Sequence, residues 1–206
     1  MIHILFLFTL LSSTSYASVN DFCIADLKGP NSPSGYQCKP PKTVTVDDFV
    51  FSGLVAGNTT NPFKVALTPA FVTEFPGVNG LGISAARLDM ATGGTVPMHS
   101  HPGANELLIV TKGKITAGFV TPSGPFVKNL RPGDVMVFPQ GLMHFQVNSG
   151  KGKASALLAF SSANPSAQLL DLLLFGNNLP SDLVAQTTFL DVEQVKKLKP
   201  RFGGRG

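Results

Sequence analysis

Short runs in which apolar and polar residues alternate recur along most of this chain, with turn sequences between them. Alternation with a period of two is typical of β-strands that bury one face. Turn sequences such as Pro122-Ser123-Gly124 interrupt the pattern. Many short strands at this spacing predict an all-β fold, an antiparallel sandwich or barrel. The predicted strands are residues 43–50, 83–90, 106–112, 114–120, 126–130, 135–138, 145–148 and 154–160.

The pattern changes after residue 161, where the apolar spacing becomes compatible with short helices. Residues 167–175 and 181–186 are the first two candidates. A third helix is predicted to begin after Asp191, which can cap it with Gln194 at the capping-box position, and to end at Pro200. The sequence contains no internal repeat and no linker long enough to divide the chain. We therefore expect residues 18–206 to form one domain.

The beginning of the chain predicts a secretory signal peptide. Residues 2–11 are almost wholly apolar, which suits a signal peptide but is too short to span a bilayer. Ser15-Tyr16-Ala17 is a small-x-small cleavage site, so residues 1–17 are predicted to be removed and the mature chain to begin at Ser18. No later run is long and apolar enough for a transmembrane helix.

Composition and charge narrow the range of partners. Hydrophobic residues make up 43% and charged residues 14% of the chain, which excludes disorder and suggests that surface is buried between subunits. Lys196, Lys197, Lys199 and Arg201 form a basic cluster near the end of the chain. A solvated helix face and attraction to anionic cell-wall polysaccharide are the two interpretations of this cluster. Nucleic acid is not expected, because no basic-aromatic motif is present.

Two further features suit a secreted protein. Cys23 and Cys38 are the only cysteines, and an even pair in a secreted chain predicts a disulfide. It would close the Pro/Gly-rich arm of residues 18–42 and contribute about 3 kcal/mol. Asn58-Thr59-Thr60 is an N-glycosylation acceptor in a Gly/Asn-rich loop, which predicts a glycoprotein.

Three of the four histidines lie in two strand-like segments, beside a carboxylate. His99 and His101 are two residues apart, which places their rings on one face if they share a strand. Glu106 opens the next predicted strand, and His144 follows the turn Pro139-Gln140-Gly141. Three imidazoles and a carboxylate suit a divalent transition metal with room for water or substrate. Zinc, iron and manganese all remain compatible with these ligands.

The spacing of these residues resembles the two cupin motifs. Gly93-x5-His99-x-His101-x4-Glu106-x6-Gly113 matches the first, and Gly133-x5-Pro139-x-Gly141-x2-His144-x3-Asn148 matches the second. The signal peptide, the cysteine pair and the C-terminal helices resemble those of plant germin-like proteins over essentially the whole mature chain. Within that family, the chain is most similar to the auxin-binding germin-like proteins.

The resemblance implies a cupin jelly-roll β-barrel with short C-terminal helices. It also implies manganese held by the equivalents of His99, His101, Glu106 and His144, and hexamers built as trimers of dimers. The implied location is the extracellular space, in the apoplast or cell wall.

Three activities are compatible with that resemblance. The first is non-catalytic binding of auxin, as a receptor-like protein. The second is superoxide dismutation by manganese, with a role in defence. The third is oxalate oxidation, known among true germins, which carry a substrate-positioning Asn where this chain has Val96. Because Val96 cannot donate that hydrogen bond, we expect little or no oxalate oxidation. A storage or wall-structural protein that merely retains metal is a further alternative.

Overall fold

The structure is a computed structural model that describes residues 21–206. The predicted signal peptide, residues 1–17, lies outside the described residues. The described strands are β1 Asn31–Ser32, β2 Gly35–Tyr36, β3 Val65–Ala70, β4 Ser84–Met90, β5 Thr95–Ser100, β6 Glu106–Lys112, β7 Ile115–Thr121, β8 Gly124–Leu130, β9 Val135–Phe138, β10 His144–Asn148, β11 Ala154–Phe160 and β12 Gln168–Leu169.

Ten of these strands form two five-stranded antiparallel sheets that enclose the core. One sheet has the order β3-β4-β11-β6-β9, and the other has the order β12-β5-β10-β7-β8. Consecutive strands in the chain often lie in different sheets, as in a jelly roll. The prediction of an all-β barrel is confirmed.

The core lies between the two sheets because inward and outward residues alternate along each strand. In β4, for example, Ala86, Leu88 and Met90 are buried, whereas Arg87 and Asp89 between them are not. Buried residues from both sheets pack together in one cluster that includes Leu108, Ile115, Phe138, Ala156 and Leu158.

Three α-helices follow the barrel, as predicted. They are α1 Leu170–Phe175, α2 Ser181–Thr188 and α3 Val192–Arg201. The predicted cap of α3 is confirmed, since the Gln194 N–H donates to the Asp191 side chain over 3.1 Å. The predicted end at Pro200 is wrong by one residue. The helix continues to Arg201. A proline in the last turn removes one backbone hydrogen bond, but its backbone can still adopt the helical conformation.

One residue of the basic cluster in α3 is buried, which neither interpretation from the sequence anticipated. Lys199 is only 1% exposed, and its Nζ donates to the carbonyl oxygens of Asn177, Leu179 and Arg205. A buried ammonium needs such partners, and here it ties the end of the chain to the loop before α2. Lys199 is therefore part of the helical packing rather than of a solvated face.

The strand predicted at residues 43–50 is wrong. This segment instead forms two short 3-10 helices, Pro41–Thr43 and Val46–Phe49. The Asp48 carboxylate accepts a hydrogen bond from the Thr45 N–H over 2.9 Å, as a helix-capping residue does. Local capping chemistry thus outweighs the strand preference of the valines and threonines.

Five strands were missed or misassigned, and two of them, β1 and β2, form a short hairpin in the N-terminal arm. β3 and β5 were not predicted because each contains a proline, Pro69 and Pro97. β3 lies at the edge of its sheet, where a missing N–H is tolerated. β12 was assigned to the first helix, although its two residues pair with Ser100 and His99 of β5.

The N-terminal arm is attached to the barrel by more than its predicted disulfide. Cys23 and Cys38 are joined, which confirms the pairing. Asn79, 3% exposed, accepts a hydrogen bond from Tyr36 N–H and donates to the Tyr36 carbonyl oxygen. Ala25 of the arm packs with Val72 and Val78, which lie between β3 and β4. Among the described residues, no helix has the length and apolar character needed to cross a membrane.

Candidate metal centre

The four predicted ligands meet inside one end of the barrel. His99 in β5 and His144, the first residue of β10, are paired neighbours in one sheet. Glu106, the first residue of β6, reaches them from the facing sheet, and His101 follows directly after β5. All four are buried, with exposed fractions of 5% for His99, 7% for His101 and 1% for both Glu106 and His144. The two sheets therefore bring together residues that lie up to 45 positions apart in the chain.

The ligand atoms face a common point. Glu106 Oε2 lies 3.1 Å from His101 Nε2 and 3.2 Å from His144 Nε2. One ligand atom from each of the four residues lies within 4.8 Å of the others. Two ligand atoms bound at about 2.2 Å to one ion are at most about 4.4 Å apart, so adjustments of a few tenths of an ångström would suffice. The cluster thus has the dimensions of a metal site.

Backbone carbonyl groups orient all three imidazoles. His99 Nδ1 donates to the Pro97 carbonyl oxygen and His144 Nδ1 to that of Leu142, each over 2.8 Å. His101 Nδ1 donates to the Ser166 carbonyl oxygen. A carbonyl oxygen can only accept, so it fixes the proton on Nδ1 and directs Nε2 toward the centre. Fixing the tautomer in this way is typical of metal-binding histidines.

The charges of the cluster also suit a cation. Burial acts to raise the pKa of Glu106, but hydrogen bonds from His101 and His144 outweigh it and lower this pKa to about 2. Burial, reinforced by the charge of His144, lowers the pKa of His99 to about 4. For His101, burial acts to lower the pKa, but the hydrogen bonds to Glu106 and Ser166 raise it above its ordinary value. The cluster therefore combines a permanent carboxylate with imidazoles that a cation could bind in place of protons.

Phenylalanine rings hold two of the imidazoles from the side. The ring of Phe138 stacks on His144 with centroids 4.5 Å apart and an interplanar angle of 14°. Phe160 meets His101 edge to face at 5.1 Å. These contacts limit rotation of the imidazoles and keep water from that side of the cluster.

A cavity of about 230 Å³ opens beside the cluster. His99, His101 and Glu106 form its polar end, and the rest of its lining is mainly apolar. Val96, the residue singled out in the sequence, is part of this lining. Pockets for drug-sized ligands usually measure 300–1,000 Å³, so this one suits a small molecule. Its other apolar lining residues include Phe71, Leu88, Leu158, Phe160 and Leu169.

Gln146 is a residue of this site that the sequence reasoning missed. It is 1% exposed and lines the cavity, and its Nε2 donates to Glu106 Oε1 over 3.4 Å. Its Oε1 has no hydrogen-bond partner, which is uncommon for a buried polar atom. The signal was available, because Gln146 lies two residues after His144 and so on the same face of β10.

The other predicted sites lie away from this cluster. Asn58 is exposed in the loop before β3, and its Oδ1 accepts a hydrogen bond from the Thr60 N–H over 2.9 Å. The disulfide belongs to the N-terminal arm. Neither residue set contributes to the metal centre.

Comparison with known proteins places this geometry in context. The cupin family pattern matches residues 51–196. Auxin-binding protein ABP19a of Prunus persica is 60% identical over 203 residues, covering 98% of this chain and 97% of that protein. Germin-like protein subfamily 3 member 3 of Arabidopsis thaliana is 56% identical over 206 residues, covering 99% and 98%. A solved structure of oxalate oxidase in complex with the substrate analogue glycolate has a TM-score of 0.85 at 38% identity, covering 89% of this chain and 96% of that one.

Proposed function

The chain belongs to the cupin family, as a germin-like protein, and we propose that it is a secreted manganese-binding protein that binds auxin in the apoplast. The observation that carries this proposal is the buried cluster of three imidazoles and one carboxylate, open on one side to a small apolar cavity. We propose that its role is receptor-like rather than catalytic.

We propose that His99, His101, Glu106 and His144 hold the manganese ion. Support comes from the oriented Nε2 atoms and from Glu106, where burial acts to raise the pKa but hydrogen bonds from His101 and His144 outweigh it and lower the pKa to about 2. Imidazole and carboxylate together suit several divalent metals, and we propose manganese among them because the germin-like resemblance implies it. When bound, manganese supplies a Lewis acid for a ligand carboxylate and a redox couple.

The cavity supports auxin as the ligand class. Auxin is an aromatic carboxylate, with a charged end and a flat apolar body. Its carboxylate would lie at the polar end formed by His99, His101 and Glu106, where a cation favours an anion. Its ring would lie against side chains such as Val96 and Leu158. Burying the ring against these groups supplies affinity, since about 25 cal/mol is gained for each Å² of apolar surface removed from water.

Metal analysis combined with auxin binding tests this proposal. Protein purified from the secretion medium is analysed for metal by mass spectrometry, and calorimetry then measures auxin binding to the manganese-loaded and metal-free forms. We expect about one manganese per chain and binding that is at least about tenfold tighter for the loaded form. Zinc or iron at full occupancy would contradict the metal assignment. Equal binding by both forms would contradict the proposed contact between carboxylate and metal.

A matched pair of substitutions tests the cavity itself. Val96→Phe fills apolar space beside the ligands, whereas Val55→Phe makes the same change at an exposed position, 64% accessible, away from the centre. We expect the first to weaken auxin binding at least about tenfold while retaining manganese, and the second to change neither. Undiminished auxin binding by manganese-loaded Val96→Phe would show that auxin occupies another place.

A second candidate, manganese superoxide dismutase with a role in defence, is favoured by Gln146. Its unpartnered Oε1 could accept a hydrogen bond from water or from the hydrogen peroxide product beside the cluster, and an apolar ligand body would leave it unused. Superoxide removal by the purified protein, measured with manganese-loaded and metal-free samples, separates the two functions. Metal-dependent turnover that survives Val96→Phe would favour the enzyme over the receptor.

Secretion is supported by the apolar residues 2–11 and by the disulfide, which persists in an oxidising compartment. The exposed position of Asn58 is compatible with a glycan there. We expect the mature protein to begin at Ser18 and to lose mass when treated with an N-glycosidase. N-terminal sequencing and mass spectrometry of secreted protein check both expectations.

We further propose that the chain assembles as a homohexamer. Support comes from α1, where Leu170, Leu172 and Leu173 are 40%, 42% and 52% exposed in the single chain. Apolar patches of this kind mark surfaces that another subunit covers. Light scattering should find hexamers for the unaltered protein and for Lys197→Glu, but smaller species for Leu173→Glu. Monomers of the unaltered protein over a wide concentration range would contradict this assembly.

A further inference from the structure

Five lysines gather at the end of the barrel opposite the metal centre. They are carried by three turns that the two sheets bring side by side. Lys64 directly precedes β3. Lys112 is the last residue of β6, and Lys114 directly precedes β7. Lys151 and Lys153 lie between β10 and β11. All five are exposed. We call this set the lysine platform.

Backbone hydrogen bonds connect the turns that carry the platform. Ser149 N–H donates to the Lys114 carbonyl oxygen over 3.1 Å, which joins two of the turns. Ala91 N–H donates to the Lys64 carbonyl oxygen over 2.9 Å. Asn148, 2% exposed, donates from Nδ2 to the carbonyl oxygens of Ala91 and Gly152 over 2.9 and 2.8 Å, which ties the third turn to the others. The lysines thus project from a backbone framework whose parts are fixed relative to one another.

Nearby acidic groups leave the platform's charge largely uncompensated. Asp89 feels the charge of Lys153, but its two oxygens accept hydrogen bonds from Arg87 over 2.9 Å each. Asp134, in the adjoining turn, accepts from the Arg131 N–H. Within residues 21–206, no lysine of the platform comes within 4.0 Å of a carboxylate oxygen.

The basic cluster in α3, for which the sequence suggested attraction to polysaccharide, has fewer exposed ammonium groups without a carboxylate partner. Lys199 is buried, and Lys196 Nζ lies 3.0 Å from Glu193 Oε1. Only part of that cluster's charge is therefore available to a partner. The platform has more exposed and unpaired ammonium groups, although its members are scattered along the sequence.

We propose that the lysine platform binds an acidic polysaccharide, a polymer of uronate sugars. The five charges spread over a surface, and the nearby cavity between Gly57, Asp89 and Lys153 measures only about 70 Å³. Such a surface suits a polymer with repeated charges rather than one small anion. Lysine offers hydrated point charges on flexible stems, which suit anionic groups repeated along a chain better than one anion that needs two-point recognition.

The aromatic content of the turns argues against single-stranded nucleic acid. Residues 61–64, 111–114 and 149–153 contain one aromatic residue, Phe63, which is 41% exposed. One ring can lie against the C–H face of a sugar, whereas proteins that bind single strands stack several bases on successive rings. A uronate polymer is therefore the partner class that these turns fit.

Binding to immobilised polygalacturonate tests this proposal with the purified assembly. Lys112→Gln combined with Lys151→Gln removes two charges from the platform. Lys196→Gln combined with Lys197→Gln removes two charges from α3 and is the matched control. We expect the platform variant to bind at least about tenfold more weakly, with a shallower salt dependence between about 50 and about 200 mM, and the control to bind within about twofold of the unaltered protein. Lys112→Arg with Lys151→Arg should retain binding.

Four outcomes would overturn the proposal. They are an undiminished affinity of the platform variant, an equal loss in the matched control, equal binding to fully methyl-esterified polymer, and tighter binding to double-stranded DNA at equal charge concentration. Thermal unfolding and metal content of every variant show whether a loss of polymer binding reflects misfolding instead. If the glutamine variant is misfolded, the polymer binding of the variant with Lys112→Arg and Lys151→Arg decides between the outcomes.

This inference rests on the proposed function only through secretion, which would bring the protein to such polymers. Metal-free protein should bind polygalacturonate as tightly as the loaded form. Absence of manganese or of auxin binding would therefore reject the proposed function and leave the platform untouched. If the unaltered protein did not bind the polymer, the lysine platform proposal would be rejected and the proposed function would stand.

Discussion

Both cupin motifs run from one end of the barrel to the other, and the two ends use their motif residues in different ways. At the metal end, His99, Glu106 and His144 are buried and meet across the two sheets. At the opposite end, Gly113 and Asn148 hold the turns from which the lysine platform projects. The first end depends on side-chain chemistry and the second on backbone geometry.

The difference shows that one motif can encode two separate requirements. A metal ligand must present a particular atom, so few other residues can replace it. A turn residue must permit a backbone conformation or satisfy backbone groups, as Gly113 does with its φ of +80°. Substitutions at the first end should therefore affect metal binding and those at the second should affect stability. The following predictions test whether the two ends can be separated in this way.

The largest expected effect is loss of metal from His101→Ala or His144→Ala. Loss of a group that only orients a ligand lowers metal affinity about 10–100-fold, so loss of the ligand itself should lower it by more than about 100-fold. Metal content after gel filtration, measured by mass spectrometry, checks this expectation. Full manganese occupancy in both variants would refute the assignment of these ligands.

Asn148→Ala is expected to lower the free energy of unfolding by about 3 kcal/mol. The substitution removes the three hydrogen bonds that Asn148 Nδ2 donates to the carbonyl oxygens of Met90, Ala91 and Gly152, and one such bond contributes about 0.5–1.5 kcal/mol. Denaturant unfolding measures the change. Manganese per folded chain should stay near that of the unaltered protein. A metal-free but fully stable Asn148→Ala protein would break the separation of the two ends.

Gly113→Ala should destabilise the protein by about 2 kcal/mol, more than the same change at Gly133. Both glycines have positive φ, +80° and +93°. A Cβ at Gly113 would lie 2.7 Å from that of Ala154, whereas a Cβ at Gly133 would meet nothing within 4 Å. The pair therefore separates backbone strain, about 1 kcal/mol at either position, from steric clash. Equal unfolding energies for the two variants would show that the clash is relieved by movement of β11.

The smallest expected effect concerns oxalate and the pocket beside the metal end. The manganese-loaded protein should release little or no peroxide from oxalate, because Val96 lines the cavity without a polar group. Val96→Asn should raise that release by about tenfold, equivalent to about 1.4 kcal/mol of transition-state stabilisation. Val55→Asn, at an exposed site, is the control. Robust oxalate turnover by the unaltered protein would disprove the argument from Val96.

The barrel and the cluster of candidate metal ligands were predictable because their signals are local. Alternation along residues 83–90 and 154–160 marked two strands of the core within one residue of their observed bounds. The spacing of His99, His101 and Glu106 carried the metal prediction without knowledge of any contact. Signals failed where a local preference was ambiguous, as in residues 43–50, where the Thr45–Asp48 hydrogen bond selects a 3-10 helix.

Gln146 and Lys199 show what such signals leave out. The spacing of Gln146 from His144 indicates only a shared strand face, and its burial beside Glu106 is what makes it part of the site. Lys199 looks like a member of a solvated basic cluster, yet three carbonyl oxygens surround its Nζ. In both cases the deciding groups come from other segments of the chain.

The sequence by itself determined the fold class, the four candidate ligands and the cysteine pair, because periodicity and residue spacing encode them within short segments. Only the tertiary structure decided which groups share a cavity with those ligands and which lysines share a surface. Lys64 and Lys153 lie far apart in the chain but on neighbouring turns, since antiparallel pairing returns the backbone to the same end of the barrel. Which charged side chains lie together and which polar side chains are buried depend on this pairing of distant strands, and a local pattern of residues does not specify it.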